Sequence, residues 1–178
     1  EHIFIDNASS DNTVEILKNI AKNDKHVKII VNSRNFGHIR SPVYGMMQAS
    51  GDVIISLVAD FQDPPEMIVD FIGAYEEGFN IVLAIKSSSK ENSLMFKARR
   101  IYYNILKKIS ETEIYENYTG FGLYDEKTIK ALKSMPDAYP FFRGMIAEIG
   151  FKVKKINYDQ PARTNGMTKN NFYTLYDI

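Results

Sequence analysis

The chain has 178 residues, 44% of them apolar and 25% charged, with 22 basic and 22 acidic side chains. That length supports one α/β domain with a sizeable core, and zero net charge argues against a general nucleic-acid binder. Cysteine is absent, which excludes disulfides, zinc–thiolate sites and thiol nucleophiles and fits a reducing compartment; no apolar run approaches the length of a membrane span.

Strand and helix patterns alternate along the chain. Residues 2–5 predict a strand, and the stripe Val14, Leu17, Ile20 and Ala21 predicts the helix after it, behind the cap-rich turn Ser9, Ser10, Asp11. Residues 27–31 form a second strand pattern, and Ser41-Pro42 predicts a helix running to about Ala49, stopped by Gly51. The apolar run 53–57 reads as a buried strand. Asp63-Pro64-Pro65-Glu66 then reads as a helix start, with Asp at the cap, Pro at the first position and Glu three residues after the cap. A strand follows over 80–85, then a long amphipathic helix marked by Leu94, Ala98, Ile101, Tyr102, Ile105 and Ile109. A short strand is expected over 120–124, helices over 127–135 and 141–149, the latter ended by Gly150, and a final strand over 152–157. Residues 160–169, with Pro161, Arg163, Asn165 and Gly166, read as a loop. The alternation predicts an α/β, Rossmann-like single domain with a mainly parallel sheet and helices on both faces. The first residues already read as strand and the last as helix, so the sequence is expected to be a piece of a longer chain.

Polar groups gather where strands end, and in open α/β sheets ligands bind at the strands' carboxyl ends. Asp60 and Gln62 fall on the turn after the central strand, where an Asp supplies a hard oxygen ligand for Mg²⁺ or Mn²⁺ on a diphosphate. Asp63 is either the helix cap or a participant in the chemistry. Asp6 and Asn7 end the first strand and are not needed for the cap that follows, which leaves them for a nucleobase or ribose. Arg34, Asn35 and Gly37 lie on a loop before a helix, a setting that suits a phosphate or nucleotide, with His38 and Arg40 nearby. Lys86 ends another strand and is either solvated or set against a phosphate. Lys97, Arg99, Arg100, Lys107 and Lys108 on the long helix are read first as a solvated face, second as a surface for a membrane.

The segment Val58-Ala59-Asp60-Phe61-Gln62-Asp63-Pro64-Pro65-Glu66 resembles the donor-site motif of family 2 glycosyltransferases, in particular the polyprenyl-phosphate sugar transferases of the dolichol-phosphate mannose synthase kind. Their usual form is Asp-Ala-Asp-Leu-Gln-Asp-Pro-Pro-Glu, so Val58 stands where a first Asp is expected. Asp6-Asn7-Ala8-Ser9 is similar to the family's Asp-Asp-Gly-Ser turn, and Asn35-Phe36-Gly37 to its Asn-x-Gly loop. Arg163-Thr164-Asn165-Gly166-Met167-Thr168-Lys169 is similar to its Arg-x-x-Gly-x-Ser-Lys loop. A further departure is Gly120, where those enzymes often carry an Asp.

The resemblance implies the nucleotide-diphospho-sugar transferase (GT-A) fold over residues 1–178, lacking the family's first strand. It also implies metal-assisted hexosyl transfer from a nucleotide-sugar donor to a polyprenyl-phosphate or saccharide acceptor. In that frame Asp60 and Gln62 hold Mg²⁺ or Mn²⁺; Asp6, Asn7, Arg34, Asn35, Gly37 and Lys86 bind donor; Arg143 meets a phosphate; and Arg163 and Lys169 offset the leaving diphosphate's charge. Glu148 and Asp63 are the candidate carboxylates in catalysis. The expected partners include no nucleic acid, and the expected location is the cytoplasmic face of a membrane. Two other classes remain: a nucleotidyltransferase on a similar fold, and a non-catalytic nucleotide-sugar-binding or assembly module.

Overall fold

The computed structural model describes residues 1–87, 115–135 and 140–161. The expected amphipathic helix over 94–109 and the loop residues Arg163 and Lys169 lie outside them. Within them the order is β1 (His2–Asp6), α1 (Thr13–Asn23), β2 (Val27–Val31), α2 (Gly37–Met47), β3 (Val53–Ser56), a 3₁₀ turn (Pro65–Met67) leading into α3 (Ile68–Glu76), β4 (Ile81–Lys86), β5 (Tyr118–Asp125), α4 (Glu126–Lys133), α5 (Phe142–Ile149) and β6 (Val153–Tyr158). None of the described helices is long and apolar enough to cross a membrane.

The strands form two sheets. β1 and β2 pair in parallel, and the second sheet has the order β3-β5-β4-β6. β4 and β6 are parallel, whereas β5 runs antiparallel to both β3 and β4. The α/β class and the helices on both faces are as expected, but the larger sheet is mixed. Strand direction is fixed by pairing partners distant in sequence, and the apolar pattern of residues 120–124 carries no sign of it.

β4 shows why the larger sheet is covered twice. Alternate side chains point to opposite faces, and Ile81, Val82, Leu83 and Ala84 are all 0% exposed. Ile81 and Leu83 join Ile54 and Tyr124 under α2, α4 and α5, packing against Val43, Met46, Ile129, Leu132, Met145 and Ile146. Val82 and Ala84 join Phe121, Leu123 and Tyr158 under α3, against Met67, Phe71 and Ala74. Each fully buried side chain of this size contributes about 1.5–3 kcal/mol relative to exposure. β5 fits into the middle of the sheet through Gly122, because a Cβ there would lie well under 3.0 Å from the Val82 carbonyl oxygen.

Several boundaries differ from the sequence pattern for local reasons. α2 begins at Gly37 and carries Pro42 in its interior. Its start is set by side chains: Asn35 Oδ1 accepts the Gly37 N–H at 2.8 Å and Asn7 Oδ1 accepts the Phe36 N–H at 2.9 Å. Asp63 does not cap the next helix. Pro64 occupies that position and no side chain bonds the first turn. Gly150 closes α5 in the left-handed conformation, φ 68°, as the sequence predicts.

Candidate active site

In the larger sheet β3, β4 and β6 run in one direction, so the carboxyl ends of all three meet the amino end of β5 along one edge. β1 is aligned with them at the other edge: Glu1 Oε1 accepts the Ser50 N–H at 2.6 Å and the Ser50 hydroxyl at 2.9 Å, tying the start of β1 to the segment entering β3. Lys28 pairs with the same carboxylate, and these bonds hold Glu1 down at about 2, from an ordinary value of 4.5.

Two polar clusters stand beyond the strand ends. The first joins the ends of β1 and β2. The Asn7 amide donates to Asn35 Oδ1 at 2.8 Å and to the Gly37 carbonyl at 3.1 Å. Its oxygen accepts from the Asn32 amide at 3.2 Å as well as from the Phe36 N–H. Asn32 continues the chain to the buried Ser41 hydroxyl at 2.9 Å. Asn7 therefore shapes the loop that carries Arg34, Asn35 and Gly37. Asp6 is buried and accepts the Ser9 N–H at 3.0 Å, which folds the turn back on its strand. On the outer side of the loop the Arg34 guanidinium lies 4.2 Å from the Phe36 ring centroid and that of Arg40 5.8 Å, so two cations flank one ring.

The second cluster is the turn after β3. Asp60 Oδ1 accepts the Gln62 N–H at 3.1 Å, which sets both motif residues on one tight bend. Phe61 between them is 66% exposed and left-handed, φ 59°. The Val58 side chain is half-exposed and its N–H is donated to Asp63 Oδ2 at 3.2 Å. Asp63 itself is 3% exposed, and Oδ1 accepts the Tyr158 hydroxyl from the end of β6 at 3.1 Å. Burial pushes the Asp63 carboxyl up from its ordinary range, against the pull of the two donors and of the Lys86 charge. Tyr158 is pushed up in turn by burial and by the neighbouring carboxylate.

Of the expected site residues, Asp60, Gln62, Asp63 and Lys86 come together here, and Asp6, Asn7, Arg34, Asn35 and Gly37 in the first cluster. Arg143, at the start of α5, acts by its charge on the hydroxyl of Tyr118 at the same edge. The two candidate catalytic carboxylates lie in different settings. Asp63 faces inward and is held by Val58 and Tyr158. Glu148 is exposed on the last turn of α5, just before the chain enters the amino end of β6 at Val153, at the opposite edge from Asp60. Tyr158 and Asn32 were not singled out from the sequence; a Tyr ending an amphipathic strand reads as ordinary core. Gly120, with φ 104° and no atom within 4 Å of a Cβ built on it, gives its carbonyl to the Tyr124 hydroxyl at 2.8 Å.

For a divalent cation the turn after β3 offers the Asp60 carboxylate, with Gln62 two residues on along the same bend; no group of three His, Cys, Asp or Glu side chains gathers among the described residues. That donor set fits Mg²⁺ or Mn²⁺ held by one carboxylate with phosphates and water, and does not fit an all-protein cage.

A mixed α/β sheet with acidic and basic turns at its carboxyl edge places its polar groups where α/β domains bind ligands. The chain belongs to glycosyl transferase family 2, whose model matches residues 1–149. It is 34% identical over 170 residues to the glycosyltransferase YkcC of Bacillus subtilis (strain 168), covering 95% of this chain and 53% of that one. It is 32% identical over 179 aligned positions to the prophage bactoprenol glucosyl transferase homolog of Escherichia coli (strain K12), covering 100% of this chain and 58% of the relative. The chain thus spans little more than half the length of these relatives. In fold it is similar to Staphylococcus aureus TarS 1-349, with a TM-score of 0.52, 15% identity, and 86% of this chain and 48% of that one covered. TarS 1-349 in complex with UDP gives 0.51 at 15% identity over 86% and 47%.

Proposed function

We propose that the protein transfers a sugar from a nucleotide-diphosphate donor to a polyprenyl-phosphate acceptor at the cytoplasmic face of a membrane. The observation that carries this is the turn after β3, which sets Asp60 and Gln62 together at the carboxyl edge of the sheet. The relatives named bactoprenol glucosyl transferase, which align along the whole chain, and the UDP complex of TarS support it.

In this reading Asp60 and Gln62 hold Mg²⁺ or Mn²⁺, as members of the family generally use a divalent cation. Bound there, the cation supplies Lewis-acid stabilisation of the departing diphosphate. The loop of Arg34, Asn35 and Gly37, braced by Asn7, receives the nucleoside with Asp6. Lys86 and Arg143 offset phosphate charge, and Arg163 and Lys169 do the same for the leaving group. The position of Glu148 at the opposite edge and the burial of Asp63 support the lipid-phosphate acceptor in this reading. A phosphate is already ionised, whereas a sugar hydroxyl requires a general base within about 3 Å, and neither candidate is presented among the described residues. We further read residues 1–178 as one catalytic domain. α2 packs on β1 and on β3, which share no ladder, and a strand set between them would join the two sheets.

The test uses the full-length protein in membranes with labelled nucleotide-sugar and added polyprenyl phosphate. Label is expected in the organic phase only with Mg²⁺ or Mn²⁺, and Asp60→Asn abolishes it. Undiminished transfer by Asp60→Asn overturns the site, and label found solely in saccharide overturns the acceptor.

A further inference from the structure

We propose that Tyr158 is a positioning residue of the donor site: its hydroxyl, donated to the buried Asp63 carboxylate, fixes the turn that carries Asp60 and Gln62. The inference rests on the donor-site reading above.

The turn over residues 57–63 has no regular secondary structure, and it contains a strained residue. Phe61 is left-handed at φ 59°, a conformation that a bulky side chain holds only where its surroundings impose it. Its own side chain is 66% exposed and supplies little of that constraint, so the turn is held from its ends. Asp63 does this: one oxygen takes the Val58 N–H at 3.2 Å and closes the turn across five residues, and the other takes the Tyr158 hydroxyl at 3.1 Å, across 95 residues.

Tyr158 is itself anchored on every side. Its ring meets Phe121 of β5 edge-on, with centroids 5.6 Å apart at 78°. Its carbonyl accepts the Ser87 N–H at 2.9 Å beyond β4, and its Cα pairs with that of Lys86. The phenol therefore transmits the position of three strands to one carboxylate, and that carboxylate sets the bend on which Asp60 stands. Without the hydroxyl the buried carboxylate keeps a single described donor, from the turn itself, and nothing in the sheet fixes its orientation.

The experiment is a double-variant cycle on the full-length protein, with Mn²⁺ plus UDP as the probe in calorimetry. Tyr158→Phe keeps the ring and removes the hydroxyl; it is expected to weaken Mn²⁺–UDP binding about tenfold, the size of a lost hydrogen bond to a charged group. In the Asp63→Ala background, where no side-chain acceptor remains, the same change is expected to weaken binding less than about twofold, because the coupling has already been cut. Amide exchange at Val58 is expected to accelerate in Tyr158→Phe while exchange at Leu83 in β4 stays unchanged. A lower melting temperature with unaltered Mn²⁺–UDP affinity overturns the proposal, as does an equal loss of affinity in both backgrounds. Asp60→Asn separates the two levels. Binding lost there but intact in Tyr158→Phe overturns this inference alone, whereas binding intact in Asp60→Asn overturns the donor-site reading and this inference with it.

Discussion

Gly122 offers the sharpest test of the sheet on which the site is built. It lies in β5, the strand flanked on both sides, opposite Leu83 of β4 and Ser56 of β3. A Cβ at this position would press on the Val82 carbonyl carbon and oxygen and on Leu83 Cα, all of them backbone atoms. Backbone held in a ladder has no rotamer by which to yield, so Gly122→Ala must push β4 and β5 apart locally. Overpacking of this kind costs about 1–3 kcal/mol, and one or two stretched ladder bonds add about 0.5–1.5 kcal/mol each. Alanine's lower unfolded-state entropy returns about 0.4–1 kcal/mol. The net is a loss of roughly 2–4 kcal/mol, a large part of an ordinary domain's stability. At about 2–4 °C per kcal/mol for a chain of this size, the melting temperature falls by roughly 5–15 °C. Urea unfolding followed by far-ultraviolet circular dichroism and tyrosine emission reads it directly, since the chain has 11 tyrosines and no tryptophan. Gly120→Ala is the matched control. Nothing lies within 4 Å of its Cβ, and the cost comes from φ 104° alone, about 1–2 kcal/mol. A loss below about 1 kcal/mol for Gly122→Ala, at unchanged m-value, would mean that β4 and β5 do not pair in this register, and the edge carrying Lys86 and Tyr158 would have to be redrawn.

Three further outcomes follow from the site. Val58→Asp adds an anionic oxygen beside Asp60 and is expected to tighten binding of Mn²⁺ alone roughly tenfold, since ligand charge count sets affinity at such sites; equal affinity in paramagnetic broadening titrations would mean position 58 faces away from the cation. Asn7→Ala removes the side chain that bonds Asn32, Asn35, Phe36 and Gly37, so it is expected to cost about 1–3 kcal/mol and to speed amide exchange at Phe36; an unchanged urea midpoint would refute the bracing role. Because the folded Asp63 carboxyl is raised, its contribution to stability is present below the ordinary carboxylate value and is lost as pH rises through the folded value. The urea midpoint of the protein relative to that of Asp63→Asn should therefore fall as pH is raised from about 4 toward neutrality, and a difference that rises over that window contradicts the burial argument.

What the sequence shows and what it hides divide along the distance between partners. The strand 27–31, the helix stop at Gly150 and the placement of Asp60 and Gln62 on a strand-end turn depend on a few adjacent residues, and each appears in the structure. The direction of β5 depends on ladders to β3 and β4, which no local pattern encodes. Pro42 inside α2 escaped the pattern because the helix start is set by Asn35 and Asn7, the latter from the end of β1, about thirty residues away in sequence. Asp63 reads as a cap because Asp-Pro-Pro-Glu satisfies the local grammar of a helix start. Its carboxylate instead turns back to the Val58 N–H and across the sheet to Tyr158, 95 residues away, and the second partner has no local signal. The edge of the sheet at which Glu148 ends its helix is likewise not carried by a helical periodicity.

These displaced carboxylates bear on the chemistry. A transferase acting on a sugar hydroxyl needs a carboxylate with an open approach to the reacting oxygen. One acting on a phosphate needs cations and a fixed diphosphate, because its nucleophile arrives ionised. The described edge follows the second pattern. Its buried carboxylate serves the turn, its motif carboxylate stands where a cation and a diphosphate would be shared, and Lys86 and Arg143 lie toward the same edge. Gly120 departs from the resembling polyprenyl-phosphate transferases, which often carry an Asp there. Its φ of 104° makes an Asp there strained, so a base at that position would require a different backbone for β5. Under the proposed function, the absence of that carboxylate and of one at position 58 would place more weight on binding geometry, which the bonds of Asp63 to Val58 and Tyr158 would hold.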